Sequence, residues 1–135
     1  MSAVFADAYF YTAMLNRDDQ HHARVVKYLS EGVDSMVTTR WVLAEVANAL
    51  SDVRFRATTA RFLQKLETDP GVIIVQSSDE LFQQGLKLYA SRTDKAWSLT
   101  DCISFIVMKD EGLQVALTGD RHFGQAGFIP FFVRS

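Results

Sequence analysis

A single cysteine, Cys102, leaves nothing with which to build an internal disulfide framework or a cysteine-rich zinc site. Two prolines and seven glycines in 135 residues are too few for a collagenous or low-complexity chain, and 48% hydrophobic against 22% charged residues excludes a disordered one. No apolar run approaches the roughly 18 residues of a membrane span. The opening MSAVFADAYF has neither the basic start nor the long apolar core of a secretory leader. The expectation is therefore a cytoplasmic protein with no membrane partner. Nor does either sign of charge dominate: 14 Lys and Arg face 16 Asp and Glu, a net charge of −2. If four of those acids belong to one metal site, the remaining surface is mildly basic at +2, so bulk charge neither favours nor excludes a polyanionic substrate.

What is present fits one domain over residues 1–135, long enough to bury roughly two thirds of its unfolded surface. Short apolar runs alternate with helical periodicities. Ala3–Ala6 reads as a strand ending at Asp7, and Ala8–Leu15 as a helix. Asp18 and Asp19 can cap a second helix carrying Val25, Val26 and Leu29 and stopped at Gly32. Met36–Thr38 is a second strand; Thr39 can cap a helix with Val42, Leu43, Val46, Ala49 and Leu50 on one stripe. A further helix is expected over Ala57–Thr68. Val72–Gln76 is the clearest buried strand, being short, β-branched and bounded by turn residues. Asp79 can cap the helix of Leu81, Phe82, Leu86 and Tyr89, and Thr100–Glu111 forms the next, stopped near Gly112. Val115–Leu117 is a fourth strand, and Phe131–Val133 a candidate fifth at an edge. This alternation predicts an α/β fold with a short, mainly parallel central sheet of four to five strands flanked by helices.

In an open parallel sheet, ligands bind beyond the carboxyl ends of the strands. Asp7 follows the first strand directly and Asp120 follows Val115-Ala-Leu-Thr-Gly, so both point to that rim. Asp101 lies in the first turn of its helix, and Glu45 sits at the apolar edge of its own, beside Trp41, Val42 and Ala49. Taken singly, Asp101 reads as the acid of a capping box, since Ser98-Leu-Thr-Asp101 has the [ST]-x-x-[DE] form, and Asp120 reads as a turn residue. Asp7 is harder to explain structurally, because a charge ending a buried strand is costly unless paired or bound to a cation. Two carboxylates about 4 Å apart repel by roughly 4 kcal/mol at an effective dielectric near 20. Four together must lift their pKa values or hold cations, and an all-carboxylate site suits Mg²⁺ or Mn²⁺ acting on phosphate oxygens.

In order along the chain, VFADAYFYTAML, the Glu45 helix, SLTDCISFIVM and ALTGDRHF resemble the PIN domain family, whose small bacterial and archaeal members are VapC-type toxin ribonucleases of toxin–antitoxin systems. The resemblance spans nearly the whole chain and matches Asp7, Glu45, Asp101 and the T-x-D-x-x-F motif at Thr118, Asp120 and Phe123. Two positions depart: Ala8 stands where a Ser or Thr often follows the first Asp, and His122 where some members carry a further acid. The resemblance implies metal-dependent hydrolysis of RNA, with Asp7, Glu45, Asp101 and Asp120 holding one or two Mg²⁺ or Mn²⁺ ions that activate water and leave a 5′-phosphate and a 3′-hydroxyl. It gives Thr118 a hydrogen bond to a ligand carboxylate and His122 a phosphate or a proton to serve. It also implies a cognate antitoxin and a homodimer, with Tyr9, Tyr11 and Met14 as candidate self-association groups. The competing readings are a non-catalytic PIN-like module that binds RNA or protein, and a metal-dependent DNA nuclease or phosphatase.

Other chemistries fit less well. Cys102, Phe105 and Ile106 recur at helical spacing, which favours a buried structural thiol over a cysteine nucleophile. Adjacent His21 and His22 diverge on a helix and read as a solvated face. Gly124-Gln-Ala-Gly127 lacks the Lys of a P-loop, and Asp7-Ala-Tyr9 lacks the second Asp of an aspartyl-phosphate enzyme. Arg54, Arg61 and Lys65 fall near one helical face, with Arg92 and Lys95 in the connection before Asp101. On a nuclease these cations, with His122, become candidate RNA contacts.

Overall fold

The structure, a computed structural model, describes residues 3–32 and 35–133. The first two and last two positions of the expected 1–135 domain thus lie outside the described residues. Among those described are five strands and seven helices: β1 Ala3–Ala6, α1 Ala8–Leu15, α2 His22–Ser30, β2 Ser35–Thr39, α3 Arg40–Ala49, α4 Val53–Leu66, β3 Val72–Val75, α5 Asp79–Ser91, α6 Leu99–Asp110, β4 Val115–Leu117, α7 Arg121–Gln125 and β5 Ile129–Pro130. The strands form one sheet in the order β3-β2-β1-β4-β5, and every pairing is parallel. The α/β class and the parallel sheet stand as expected from the sequence.

β1 is central, paired with β2 on one side and β4 on the other, and its Val4, Phe5 and Ala6 are buried. The chain runs outward from β1 to β2 and β3, then returns to build β4 and β5 on the opposite side. β1 and β4 therefore flank the point where strand order reverses, which in open parallel sheets is where the ligand crevice lies. Thr38 Oγ1 donates to the carbonyl oxygen of Ala6 at 2.9 Å, fixing the end of β2 against the residue that precedes Asp7.

Several expectations change in detail. Val72–Val75 is an edge strand, not a buried one: it pairs only with β2, and Ile73 is 58% exposed. An apolar β-branched run suits a half-covered edge as well as a centre, and strand order is a tertiary property. The α2 helix begins at His22, with His21 at its N-cap and no capping side chain. Asp19 instead accepts from the His21 N–H at 2.8 Å, bracing the preceding turn, so neither Asp18 nor Asp19 caps the helix. The α4 helix begins four residues before Ala57, because Asp52 caps it through the Arg54 N–H at 3.0 Å, and it ends at Leu66 rather than Thr68. Ser78, not Asp79, caps α5, and the fifth strand is Ile129–Pro130, paired with Val115 and Ala116, whereas Phe131 and Phe132 lie in a turn. Tyr11 is core rather than a surface group for self-association.

Helices α5 and α6 pack closely at Gly85, where an added Cβ would collide with the Ile103 side chain. That contact sets how α6, and with it Asp101, lies against its neighbours.

Candidate active site

Each acid reaches the site by a separate local device. Asp7 occupies the N-cap position of α1 immediately after the central strand, and only 6% of it is exposed. Thr118, fully buried just past β4, donates its hydroxyl to Asp7 Oδ2 at 2.9 Å. The same Thr118 Oγ1 accepts from the Asp120 N–H at 3.0 Å, so one hydroxyl joins the ends of β1 and β4. Asp120 caps α7 through the His122 N–H at 2.8 Å.

Asp101 is held by a reciprocal capping box: its N–H donates to Ser98 Oγ at 3.0 Å, and its Oδ2 accepts from the Ser98 N–H at 3.1 Å. The capping role read from Ser98-Leu-Thr-Asp101 and a place among the acids are both true, since a carboxylate has lone pairs for each. His122 Nδ1 lies 3.2 Å from Asp101 Oδ2 and 3.3 Å from Asp120 Oδ1. Asp101, Asp120 and His122 each offer a ligand atom, all within 4.8 Å of one another. The Asp101 side chain is 13% exposed and that of Asp120 37%, so the cluster grades from the buried Asp7 outward to solvent.

The acids feel one another. Burial is the main cause pushing the Asp7 carboxyl up to about 7, with the charges of Asp101 and Glu45 adding to it and the hydrogen bonds from Thr118 and the Ala8 N–H opposing it. Desolvation also raises Asp101, as does the charge of Asp120, against hydrogen bonds from the Ser98 N–H and His122. Glu45, on the outward face of α3, is raised by partial desolvation and then by the charges of Asp101 and Asp120, against the Thr100 hydroxyl. Four carboxylates from four distant segments thus share one electrostatic environment. Such a cluster is completed by positive charge, and its hard oxygen donors fit a divalent cation.

The expected cations lie on α4 and in the connection before α6. Arg54 stacks on Phe55 with its Cζ 4.5 Å from the ring centroid, Arg61 donates to Thr58 Oγ1 at 3.5 Å, and both stand with Lys65 on the exposed face of α4. Arg92 and Lys95 flank Asp94 in the connection that leads to α6. Cys102 is fully buried with its thiol pushed up by desolvation, which makes it a poor nucleophile. His22 Nδ1 lies 2.7 Å from the Ala13 carbonyl oxygen and His21 packs on the Tyr9 ring, so they do not form a metal pair.

The pattern of the PIN domain family matches residues 4–129. The chain belongs to the PIN domain family. It is 27% identical over 127 residues to the 23S rRNA-specific endonuclease VapC20 of Mycobacterium tuberculosis (strain H37Rv), covering 93% of this chain and 95% of that one. The crystal structure of Mycobacterium tuberculosis VapC20, described as a Sarcin-Ricin loop cleaving toxin, superposes with a TM-score of 0.85 at 23% identity, over 95% of this chain and 97% of that one. FitAcB from Neisseria gonorrhoeae gives a TM-score of 0.64 at 18% identity, over 96% of this chain and 99% of that one. VapBC2 from Rickettsia felis, bound to a DNA fragment from its promoter, gives 0.65 at 12% identity, over 96% and 97%. Placed in this family, the crevice between β1 and β4 is the candidate active site. Sequence reasoning saw each acid but not the bracing of Asp101 and Asp120 by His122. The i, i+2 spacing of Asp120 and His122 at a helix start was the available signal; the contact to Asp101, 21 residues away, had none.

Proposed function

We propose that this chain, folded as one PIN domain, is a divalent-metal-dependent endoribonuclease and the toxin of a toxin–antitoxin pair. The observation that supports the reading is the shared electrostatic environment of four acids near the strand-order reversal: Asp7, Glu45 and Asp101 are each raised in pKa, and the charge of Asp120 acts on Glu45 and Asp101. Asp7, Asp101 and Asp120 would hold Mg²⁺ or Mn²⁺, with Glu45 completing the charge from α3. One or two such ions supply Lewis acidity, acidifying water and neutralising charge on the phosphate oxygens.

The protein's own groups do the positioning. Thr118 fixes which Asp7 oxygen is free to coordinate, by donating to the other. Ser98 holds Asp101 on one side, while His122, poised between Asp101 and Asp120, can donate Nδ1–H to either and would leave its other ring nitrogen for a phosphate oxygen. Arg54, Arg61, Lys65, Arg92 and Lys95 would draw the RNA backbone to the crevice. Because two homologous sequences are named 23S rRNA-specific endonucleases, ribosomal RNA is the first substrate to try.

Among the described residues no helix is long and apolar enough to cross a membrane, in keeping with a cytoplasmic enzyme working on RNA. A nuclease of this kind needs restraint in trans, most simply an antitoxin segment whose Arg or Lys enters the acidic crevice in place of metal. Homodimerisation belongs to the same reading.

A substrate panel with end-group analysis tests it. The expected result is RNA cleaved in Mg²⁺ or Mn²⁺ to 5′-phosphate and 3′-hydroxyl ends, with activity falling at least a hundredfold in EDTA and returning with added metal. Undiminished cleavage in EDTA would remove the metal mechanism. Hydrolysis confined to DNA or to phosphate monoesters would move the protein to another substrate class, and Mn²⁺ binding without turnover would leave a binding module.

A further inference from the structure

A cleft of about 880 Å³ opens between the end of α5, the 92–98 connection and the start of α6. It adjoins the acidic crevice, because Ser98, which lines it, is also the residue that anchors Asp101. The charged side chains that line it, Arg92 and Lys95, are cations, and both pair with Asp94, which is not among the lining residues. No carboxylate lines it among the described residues.

Arg92 is preorganised. A bidentate pair with Asp94, at 2.9 and 3.0 Å, fixes the plane of its guanidinium. The Trp97 ring supports it at 5.0 Å. Trp97 is itself buried, edge-on to Phe105, and donates Nε1–H to Gln125 at 3.0 Å, so it is a floor rather than a free stacking face. Three residues before Arg92, in the last turn of α5, Tyr89 is 51% exposed and also lines the cleft. A rigid guanidinium plane, an exposed phenol ring, a lysine and the Thr93 and Ser98 hydroxyls form a surface for an unpaired nucleotide. Bases stack on aromatic rings and arginine planes, and cations take the phosphate.

We propose that this cleft is a nucleotide subsite beside the scissile position: it takes one unstacked base of the RNA against Tyr89 and Arg92, with the adjoining phosphate on Lys95, and so contributes to choice of cleavage sequence. The inference rests on the ribonuclease reading, and its test does not.

The metal-free full-length chain would be titrated with each of the four nucleoside 5′-monophosphates, and with inorganic phosphate as control, by following the indole N–H resonance of Trp97, assigned with Trp97→Phe. At least one nucleotide should shift that signal and the amides of 89–98, with affinity about tenfold weaker in Tyr89→Ala and retained in Tyr89→Phe. With cleavable RNA, Tyr89→Ala should raise KM by a similar factor and leave kcat unchanged. Replacing the flanking base by an abasic site should remove that sensitivity. Failure of all four nucleotides to perturb 89–98, or equal affinity in Tyr89→Ala, overturns the subsite even if RNA is cleaved. A halved mass in light scattering for Tyr89→Ala, with nucleotide binding unchanged, also overturns it, making the α5 face a contact between copies. Nucleotide binding here without RNA hydrolysis would uphold the subsite and remove the nuclease reading.

Discussion

Asp7→Asn is expected to abolish RNA cleavage and, in the absence of metal, to make the protein more stable at neutral pH. The loss of activity follows from the position: Asp7 is the deepest of the acids and the one whose orientation is set by Thr118. Asn keeps the shape and can still accept that hydrogen bond, but it removes the charge a divalent cation needs, so a fall of at least a thousandfold is expected. The gain in stability follows from linkage. Burial and neighbouring acids raise the folded-state pKa of Asp7 from 3.8 to about 7. A carboxyl that binds its proton more tightly when folded stabilises the fold fully below the unfolded value, and that contribution is lost as pH rises through about 7. At ~1.36 kcal/mol per pH unit, up to about 4 kcal/mol disappears across this window. Glu45 and Asp101, also raised, act in the same direction. Asp94 and Glu67, lowered by Arg92 and Arg40, lose their contributions only at more acid pH. Metal-free wild type should therefore melt progressively lower from pH 4 to 8, whereas Asp7→Asn should flatten the profile and melt on the order of 5–10 °C higher at pH 8. Calorimetry in EDTA reads this directly. A lower melting point for Asp7→Asn throughout, or full activity in metal, would show that Asp7 is a structural acid.

The parts of this site legible in the sequence were those encoded locally. Asp7 was visible because a charge terminates an apolar β-branched-poor run, and Asp101 because the capping box that holds it is a four-residue pattern. Asp120 was visible because it follows the Val115–Leu117 strand and through the family resemblance at T-x-D-x-x-F; the structure adds its N-cap role. The helices carried caps and periodicity, and most were found, with errors where two adjacent residues could cap, as with Ser78 and Asp79. What local patterns do not encode is which neighbour a strand acquires. VIIV looked central and is an edge, because its burial depends on β2 alone covering one side. Phe131 and Phe132 looked like a strand because they are aromatic, yet their side chains serve a ring cluster with Tyr28 and Phe10, and the paired residues precede them. The contact of His122 with Asp101 had no signal because the acid it meets on α6 is distant in sequence. The cleft beside Asp101 was hidden for the same reason: its walls come from both sides of a polar connection that has no periodicity of its own.

Gly119→Ala is expected to damage catalysis out of proportion to the size of a methyl group, and a change at Tyr9 to repair it. Gly119 lies between the two residues that tie β4 to the site, Thr118 and Asp120. A Cβ there would stand 2.5 Å from Cε2, 2.7 Å from Cζ and 2.9 Å from the hydroxyl of Tyr9. The ring has little freedom to give way, since His21 packs on it at 4.8 Å and Phe132 stacks at 5.7 Å. The turn must then move, and with it both hydrogen bonds made by Thr118 Oγ1, to Asp7 and from the Asp120 N–H. Overpacking of this kind costs about 1–3 kcal/mol of stability. A displacement near 1 Å at the acids proposed to hold metal would cost on the order of a hundredfold in kcat. Tyr9→Leu removes the three clashing atoms while keeping an apolar side chain against Phe132, so in the Gly119→Ala background it should restore most of the activity. In the wild-type background the same change should cost far less than Gly119→Ala does. The measurement is a double-mutant cycle on kcat and on melting temperature, and the predicted signature is strong positive coupling in both. Additive losses would mean that Gly119 is needed for its backbone alone and that Tyr9 has no part in placing Asp120.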